Sequence, residues 1–419
     1  MSNFHDGEPV QQLRKRRETE RPEIWWGAPE GGFVPETEIM TTAGPVNAAE
    51  LTAGDRVYAL SPTGGLVKPR ILTGTDRVLH EGTVVEIGGK RVDLRLHPDH
   101  PVLYRTKSIR YPQVVRAAHL TQREYYRFIN DWVTPDRPRL ETVDITELVD
   151  EFEARAVTSD HGHTFRAALP EGCEPSYVNS HSGYHFDPEM FKRYQSVIES
   201  VADEVSVREG RKQRTVPYLF AGDDFIEFIG WYVTEGSVYW PAGKRTAQVQ
   251  IAQDNPTHRR RIRALLDRMS LNVSINERRF TFGSSLFGQL LERLCGSGSE
   301  SKRLPSFVWR LSTDQQALLL RTLLRGDGNV RGTYYTSSQQ LAWDVLRLGV
   351  EVGVKPRYTR RNGMWQIYLR EGNDGFRASK NVSTIERSTT LYQFTVEDYC
   401  AVLAGCDGRF QWVGVNSVV

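Results

Sequence analysis

DDFIEFIGWYVTEGS, residues 223–237, and TDQQALLLRTLLRGDGN, residues 313–329, are two versions of one design set about 90 residues apart. An internal repeat of this kind bears on the whole architecture. Each stretch opens with a pattern that predicts a capping box, Asp224 with Glu227 and Thr313 with Gln316. Each then runs apolar through three helical turns and ends in an acid followed by glycine: Glu235-Gly236 and Asp327-Gly328. The glycines are expected to stop the helices in the left-handed conformation. Gly230 and, less ideally, Thr322 are the small residues expected where the two helices touch, with a slightly wider seam at Thr322.

An acid at a helix C-terminus is electrostatically misplaced, because the helix dipole favours cations there. Two acids at one position of a repeat suggest a task. If the helices pack side by side, Glu235 and Asp327 converge and could hold Mg²⁺ (or Mn²⁺) between carboxylates and phosphate oxygens. Taken singly, each stretch could equally be a buried core helix with a polar end.

The segments beyond the two helices are also alike. After Gly236 come a strand–turn–strand pattern around Pro241–Gly243, the basic helix HRRRIRALLDRM and the strand NVSINERRFTF. After Gly328 come NVRGTYYTSS, the helix QQLAWDVLRLGVEVG, and the strands PRYTRR and MWQIYLR joined by Asn362-Gly363, a strong hairpin signal. Both halves read as helix, strands, helix, strands. Lys244, Arg245, Gln248, Gln250, Arg278, Arg279, Arg331, Arg357, Arg360 and Arg361 stud these strands and turns. A twisted ribbon bearing such side chains fits the major groove of double-stranded DNA, where Arg reads guanine and Gln reads adenine. Solvated faces of an ordinary antiparallel sheet are the alternative.

Outside the repeat, Phe33 to about Thr106 alternates short apolar runs with turn signals and reads as all-β, and the stretch after about Leu391 returns to short strands. Residues 1–31 are polar, with a basic run at Arg14–Arg17 balanced by Glu18 and Glu20. The net charge of +2 decides nothing about nucleic acid, since phosphate contacts come from local patches. Cys173, Cys295, Cys400 and Cys406 form no CxxC pair, which argues against a disulfide framework or zinc finger. His161, His163, Cys173, His181 and His185 have no metal-site spacing. No stretch approaches a membrane span, so no membrane partner and a cytoplasmic location, nucleoid-associated through DNA, are expected.

FIGWYVTEG, LRTLLRGDG and the intervening SKRLPSFVWRL resemble the two-repeat LAGLIDADG homing endonucleases. The resemblance implies two αββαββ halves meeting at the two helices, in a monomer with internal pseudo-twofold symmetry whose sheets straddle DNA. Glu235 and Asp327 would then be metal-binding catalytic acids, and Lys302 of the KRLP segment would polarise the scissile phosphate or activate water. The flanks resemble the splicing (Hint) domain of inteins: GFVPETEIMT with GDRVYAL, then LRLHPDHPVLYRT, and finally LYQFTVEDYCAVLAG with VGVNS. The implied fold class is α+β and multidomain, an all-β, horseshoe-like Hint domain interrupted by the nuclease. The expected boundaries are 1–31 for a flexible flank or host remnant, 32–130 for the first part of the Hint domain, and 131–215 for a linker and DNA-recognition region. The nuclease is expected over 216–375, and the second part of the Hint domain over 386–419.

Splicing needs a nucleophilic Cys or Ser at the first intein position. The resemblance puts Gly32 there. His97 stands where a Thr is usual and His100 is kept; Val415 replaces the penultimate His, while Asn416 and Ser417 remain. Degenerate splicing is therefore expected, with Cys400 and Cys406 as the alternative internal nucleophiles.

Overall fold

The computed structural model describes residues 31–61, 65–107, 112–130, 132–179, 182–209, 214–243, 246–369 and 375–418. The basic run Arg14–Arg17, His181, Lys244 and Arg245 lie outside them. The chain forms two compact units, Met1–Arg137 with Gly328–Val419, and Pro138–Asp327. The sequence expectation of boundaries at 216 and 375 therefore differs from this division, which cuts the second repeat immediately after its acid.

The first unit is built on an eleven-stranded sheet. Its spine is the antiparallel pair Val67–Gly88 and Val382–Glu397, in register from Ile87↔Val382 to Gly74↔Thr395. Short alternating segments such as Asp93–Leu96 turn every second side chain inward. These inward residues, Val57, Leu94, Val102, Phe394 and Val413 among them, join Phe33 in one core. The start and end of the sheet close on the same strand. Phe33 exchanges backbone hydrogen bonds with Tyr392 at 2.9 and 2.8 Å, and Asn416–Val418 pairs in parallel beside Thr395–Glu397.

This unit also contains helix Gln339–Glu351 and the three-stranded sheet of Thr333–Thr336, Met364–Leu369 and Pro356–Arg361. The expected Asn362-Gly363 hairpin is present, with both residues at positive φ (51° and 78°), as a type I′ turn requires.

The second unit holds both repeat helices, Gly222–Glu235 and Thr313–Gly326. The first is apolar on nearly every side and is buried accordingly. Neither capping box forms where it was expected. Helix Gly222–Glu235 has Ala221 at its N-cap with no side-chain cap. Asp224 instead pairs with Arg268 at 2.7 Å, and the buried Glu227 carboxylate with Arg261. The second helix is capped one residue earlier, by Ser312 accepting from the Gln315 N–H, while Gln316 reaches back to the Val308 carbonyl.

A four-stranded sheet (Gly236–Tyr239, Gln248–Ala252, Arg279–Gly283 and Ser274–Ile275) follows the first helix. Helix Ser285–Cys295 backs it, with Phe287 against Phe228 and Phe282. The region expected to link the domains is itself folded. Strands Ser176–Asn179, Gly183–Phe186, Glu153–Val157, Glu204–Glu209 and Arg214–Val216 lie side by side in that order, all antiparallel. Helices Gly162–Ala168 and Pro188–Val201 connect them. Taken in chain order, the first four strands make a split β-α-β module with an added edge strand.

Candidate metal and nucleic-acid site

The two repeat helices touch through small residues in matched pairs. A β-carbon on Gly230 would stand 2.7 Å from the Thr322 methyl, and one on Gly326 would stand 2.3 Å from the Thr234 hydroxyl. Because 230 meets 322 and 234 meets 326, the helices run parallel and both C-termini arrive at one end. The absence of a side chain on Gly230 accommodates the Thr322 methyl opposite it. Neither terminal glycine is left-handed: Gly236 has φ −93°, and Gly328 is absent from the positive-φ glycines. Gly236 serves a different need, because a β-carbon there would fall 2.4 Å from the Tyr232 side chain.

This geometry brings Glu235 and Asp327 together. Glu235 closes the first helix and Asp327 caps the second, its N–H bonded to Leu323 at 3.1 Å. Burial, and then the Glu235 charge, push the Asp327 carboxyl up to about 7, against the pull of Lys302. Burial also raises Glu235, assisted by Asp254 and opposed by the Gln253 amide, which donates to it at 2.8 Å. Two half-buried carboxylates facing the negative ends of two helices are an electrostatic arrangement that a divalent cation relieves.

Lys302 is buried beside them. Its ammonium donates to the carbonyls of Tyr232 (3.0 Å) and Gly236 (3.1 Å) and lies 3.5 Å over the Tyr232 ring. It thus ties down the last turn of the first helix. Burial lowers its pKa to about 8, while Cys295 and Asp327 favour the charged form.

The polar faces of the two sheets gather most of the other expected residues. On the first sheet Tyr239, Gln248, Gln250, Arg279 and Thr281 share the face opposite Val249, Ile251, Phe280 and Phe282. Arg279 donates to Gln250 at 3.2 Å, and Arg278 is exposed in the adjoining turn. On the second sheet Arg357, Thr359 and Arg361 alternate with Tyr358 and Arg360. Arg357 stacks 3.6 Å from the Tyr368 ring, whose hydroxyl donates to Gln366 at 3.0 Å. Arg360 departs from expectation. It lies on the opposite face, 4.9 Å over the buried Trp365 ring. Arg331 is exposed in a turn that the Asn329 side chain holds through the N–H groups of Arg331 and Thr333.

In the first unit the Gly32 carbonyl accepts from the His97 N–H at 3.2 Å, and the buried His100 ring lies 4.6 Å from Phe33. Burial, with His97 nearby, lowers His100 to about 3. A β-carbon on Gly32 would come 2.8 Å from the Leu391 β-carbon, so the position lacks room for a side chain as well as lacking one. Burial pushes the Cys400 and Cys406 thiols up to about 12, the opposite of what a nucleophile needs. Asn416 pairs with Thr395 on the central strand.

Among the described residues no group of three or more His, Cys, Asp or Glu could hold a metal ion. His161 and His163 stack on each other, while His185 is buried against Glu153 and the Ser182 carbonyl. No helix of the described residues is long and apolar enough to cross a membrane. Gln253, Thr234 and Gly326 escaped the sequence reading. Only Gln253 left a trace, as the polar residue just after a strand that returns to the helix end.

No family model matches the chain. A curated DNA polymerase from Thermococcus aggregans is 24% identical over 174 residues, which is 40% of this chain and 10% of the polymerase. The chain thus spans about a tenth of that relative's length. Among solved structures it is similar to a bacterial intein-like domain from Clostridium thermocellum, at 22% identity and TM-score 0.20, covering 23% of this chain and 64% of that one. It is also similar to the homing endonuclease I-WcaI bound to its DNA recognition sequence, at 13% identity and TM-score 0.26, covering 35% of this chain and 75% of that one. The structural neighbours include inteins, a homing endonuclease and the LAGLIDADG domain of a DUF199/WhiA protein.

Proposed function

We propose that this chain is an intein-derived homing endonuclease, in which a LAGLIDADG-type nuclease interrupts a splicing-type β domain that no longer splices. It would make sequence-specific double-strand breaks in DNA with Mg²⁺ or Mn²⁺, acting as a monomer with internal pseudo-twofold symmetry. The observation that carries this reading is the meeting of Glu235 and Asp327, equivalent acids of two repeats, at the shared end of parallel helices. Carboxylate oxygens are the ligands that such hard cations take.

When bound, the cation would neutralise charge on the scissile phosphate and make water more acidic. The protein's own groups would do the rest. Gln253 orients the Glu235 carboxylate, and Lys302 holds the helix end while adding positive charge beside Asp327. The first sheet would present Gln248, Gln250, Arg278 and Arg279 to base edges and phosphates, and the second Arg331, Arg357 and Arg361. Lys244 and Arg245 belong to the same proposed surface by sequence. Splicing would be lost at its first step, because Gly32 carries no nucleophile.

The deciding experiment selects duplexes from a random-sequence library with the wild-type chain, then incubates them with Mg²⁺. Cutting by wild type, with binding but no cutting by Glu235→Gln and Asp327→Asn, supports the reading. Tight binding without cutting by wild type overturns the nuclease assignment in favour of a binding protein.

A further inference from the structure

The second of the proposed DNA-reading sheets is mounted on the β domain. Its inner face carries Tyr358 and Trp365, whose rings lie 5.0 and 4.7 Å from that of Trp343 on helix Gln339–Glu351. Beyond this cluster come β-domain groups. The Tyr358 hydroxyl donates to the Glu38 carboxylate, which also accepts from the Gly408 N–H at 2.8 Å. The Tyr358 N–H bonds to the Gly408 carbonyl at 3.0 Å, and Lys355 donates to the Phe410 carbonyl at 2.9 Å. A β-carbon on Gly408 would fall 2.4 Å from the Tyr358 ring, and one on Gly44 would fall 2.5 Å from the Trp343 ring.

The supporting helix is anchored just as firmly. Tyr58, on strand Arg56–Leu60, donates to Glu351 at 2.6 Å and accepts from Arg347 at 3.0 Å, and both Tyr58 and Glu351 are 1% exposed. Arg137 closes on the second Glu351 oxygen at 2.8 Å, and Arg347 also donates to the Thr42 carbonyl at 2.9 Å. A charge buried so completely is tolerable only with all of these partners in place. The first sheet differs, since it belongs to the other unit, where helix Ser285–Cys295 backs it.

We propose that the β domain has a further function, independent of splicing: it folds and aims the second DNA-reading sheet, with Glu38 and Tyr58 as positioning residues that touch no DNA. This inference rests on the nuclease reading for its consequence and on the contacts above for its mechanism. A β domain unable to splice would therefore still be required for recognition of one half of the target. A three-stranded sheet deprived of its backing exposes Trp365, Tyr358 and Ile367 and is marginal alone.

The test uses the full chain with Glu38→Ala, and with Tyr58→Phe and Tyr358→Phe as milder variants that each remove one hydroxyl. Amide hydrogen exchange is followed across the chain, and hydroxyl-radical footprints are recorded on a duplex selected by the wild type. The expected result is at least tenfold faster exchange in Pro356–Leu369 with Gly222–Glu235 unchanged, and a footprint weakened over one half-site only. Unchanged exchange in that hairpin for all three variants would overturn the proposal. So would footprint losses spread equally over both half-sites. Should the wild type select no duplex, the nuclease reading fails, while the exchange data still decide whether the β domain mounts the sheet.

Discussion

Gly326 and Thr234 meet so closely that a β-carbon on the glycine would stand 2.3 Å from the threonine hydroxyl. One residue further along each helix lie Asp327 and Glu235, so this contact sets the separation of the two carboxylates. Gly326→Val should force the helix ends apart at a cost of about 1–3 kcal/mol, typical of overpacking. Cleavage should fall further than stability does, by about 100-fold, because ångström-scale misplacement is felt strongly in catalysis. Urea melts alongside single-turnover cutting would check the pair, and parallel losses in both would count against a positioning role.

Asp327 is a carboxyl with its folded pKa raised, to about 7. Its contribution to stability is therefore fully present below the unfolded carboxylate range and is lost as pH rises through about 7. In metal-free buffer Asp327→Asn should melt higher than wild type at pH 8 and level with it at about pH 3, below the unfolded carboxylate range. Calorimetry at the two values tests this. A variant less stable at pH 8 would mean that the charged form is the one the fold favours.

His100 behaves in the opposite sense. Its folded pKa of about 3 lies below the ordinary histidine value, so its contribution is present above about 6.5 and lost as pH falls toward 3. Wild type should lose stability over that interval, and His100→Leu should flatten this part of the profile. Near-ultraviolet circular dichroism through an acid titration would follow it, with an unaltered profile refuting the assignment to His100.

Restoring a thiol at the first splicing-like position should not restore splicing. A side chain at residue 32 meets the Leu391 β-carbon at 2.8 Å, so Gly32→Cys is expected to destabilise the β domain by about 1–3 kcal/mol. Mass spectrometry after incubation with hydroxylamine reads the outcome. Efficient cleavage before residue 32 would show that the backbone yields and the thiol acts.

Much of the proposed nuclease was legible because its signals are local. Apolar periodicity marked both repeat helices, and Asn362-Gly363 marked the hairpin through its need for positive φ. In the second helix the local Ser312 caps one residue earlier than Thr313, whereas in the first the capping-box residues have tertiary partners instead. Arg268 and Arg261, on another helix, took Asp224 and Glu227 from the cap. Gly236 departs from the expected left-handed stop because what it answers to is the close approach of Tyr232, side chain and backbone alike. Basic character alone groups Arg360 with Arg357 and Arg361, but strand alternation turns it toward Trp365.

By itself the sequence determined which residues are chemically able to act: two acids closing matching helices, a lysine between them, basic strands, and a glycine where a nucleophile would stand. Only the tertiary structure decided what those residues face. The parallel run of the helices, the burial that lifts Asp327, the Leu391 side chain against Gly32 and the Glu38 carboxylate behind Tyr358 all join segments far apart in the chain. Local propensity carries no information about such partners. They are selected by which surfaces can be buried together without a void or an unpaired charge.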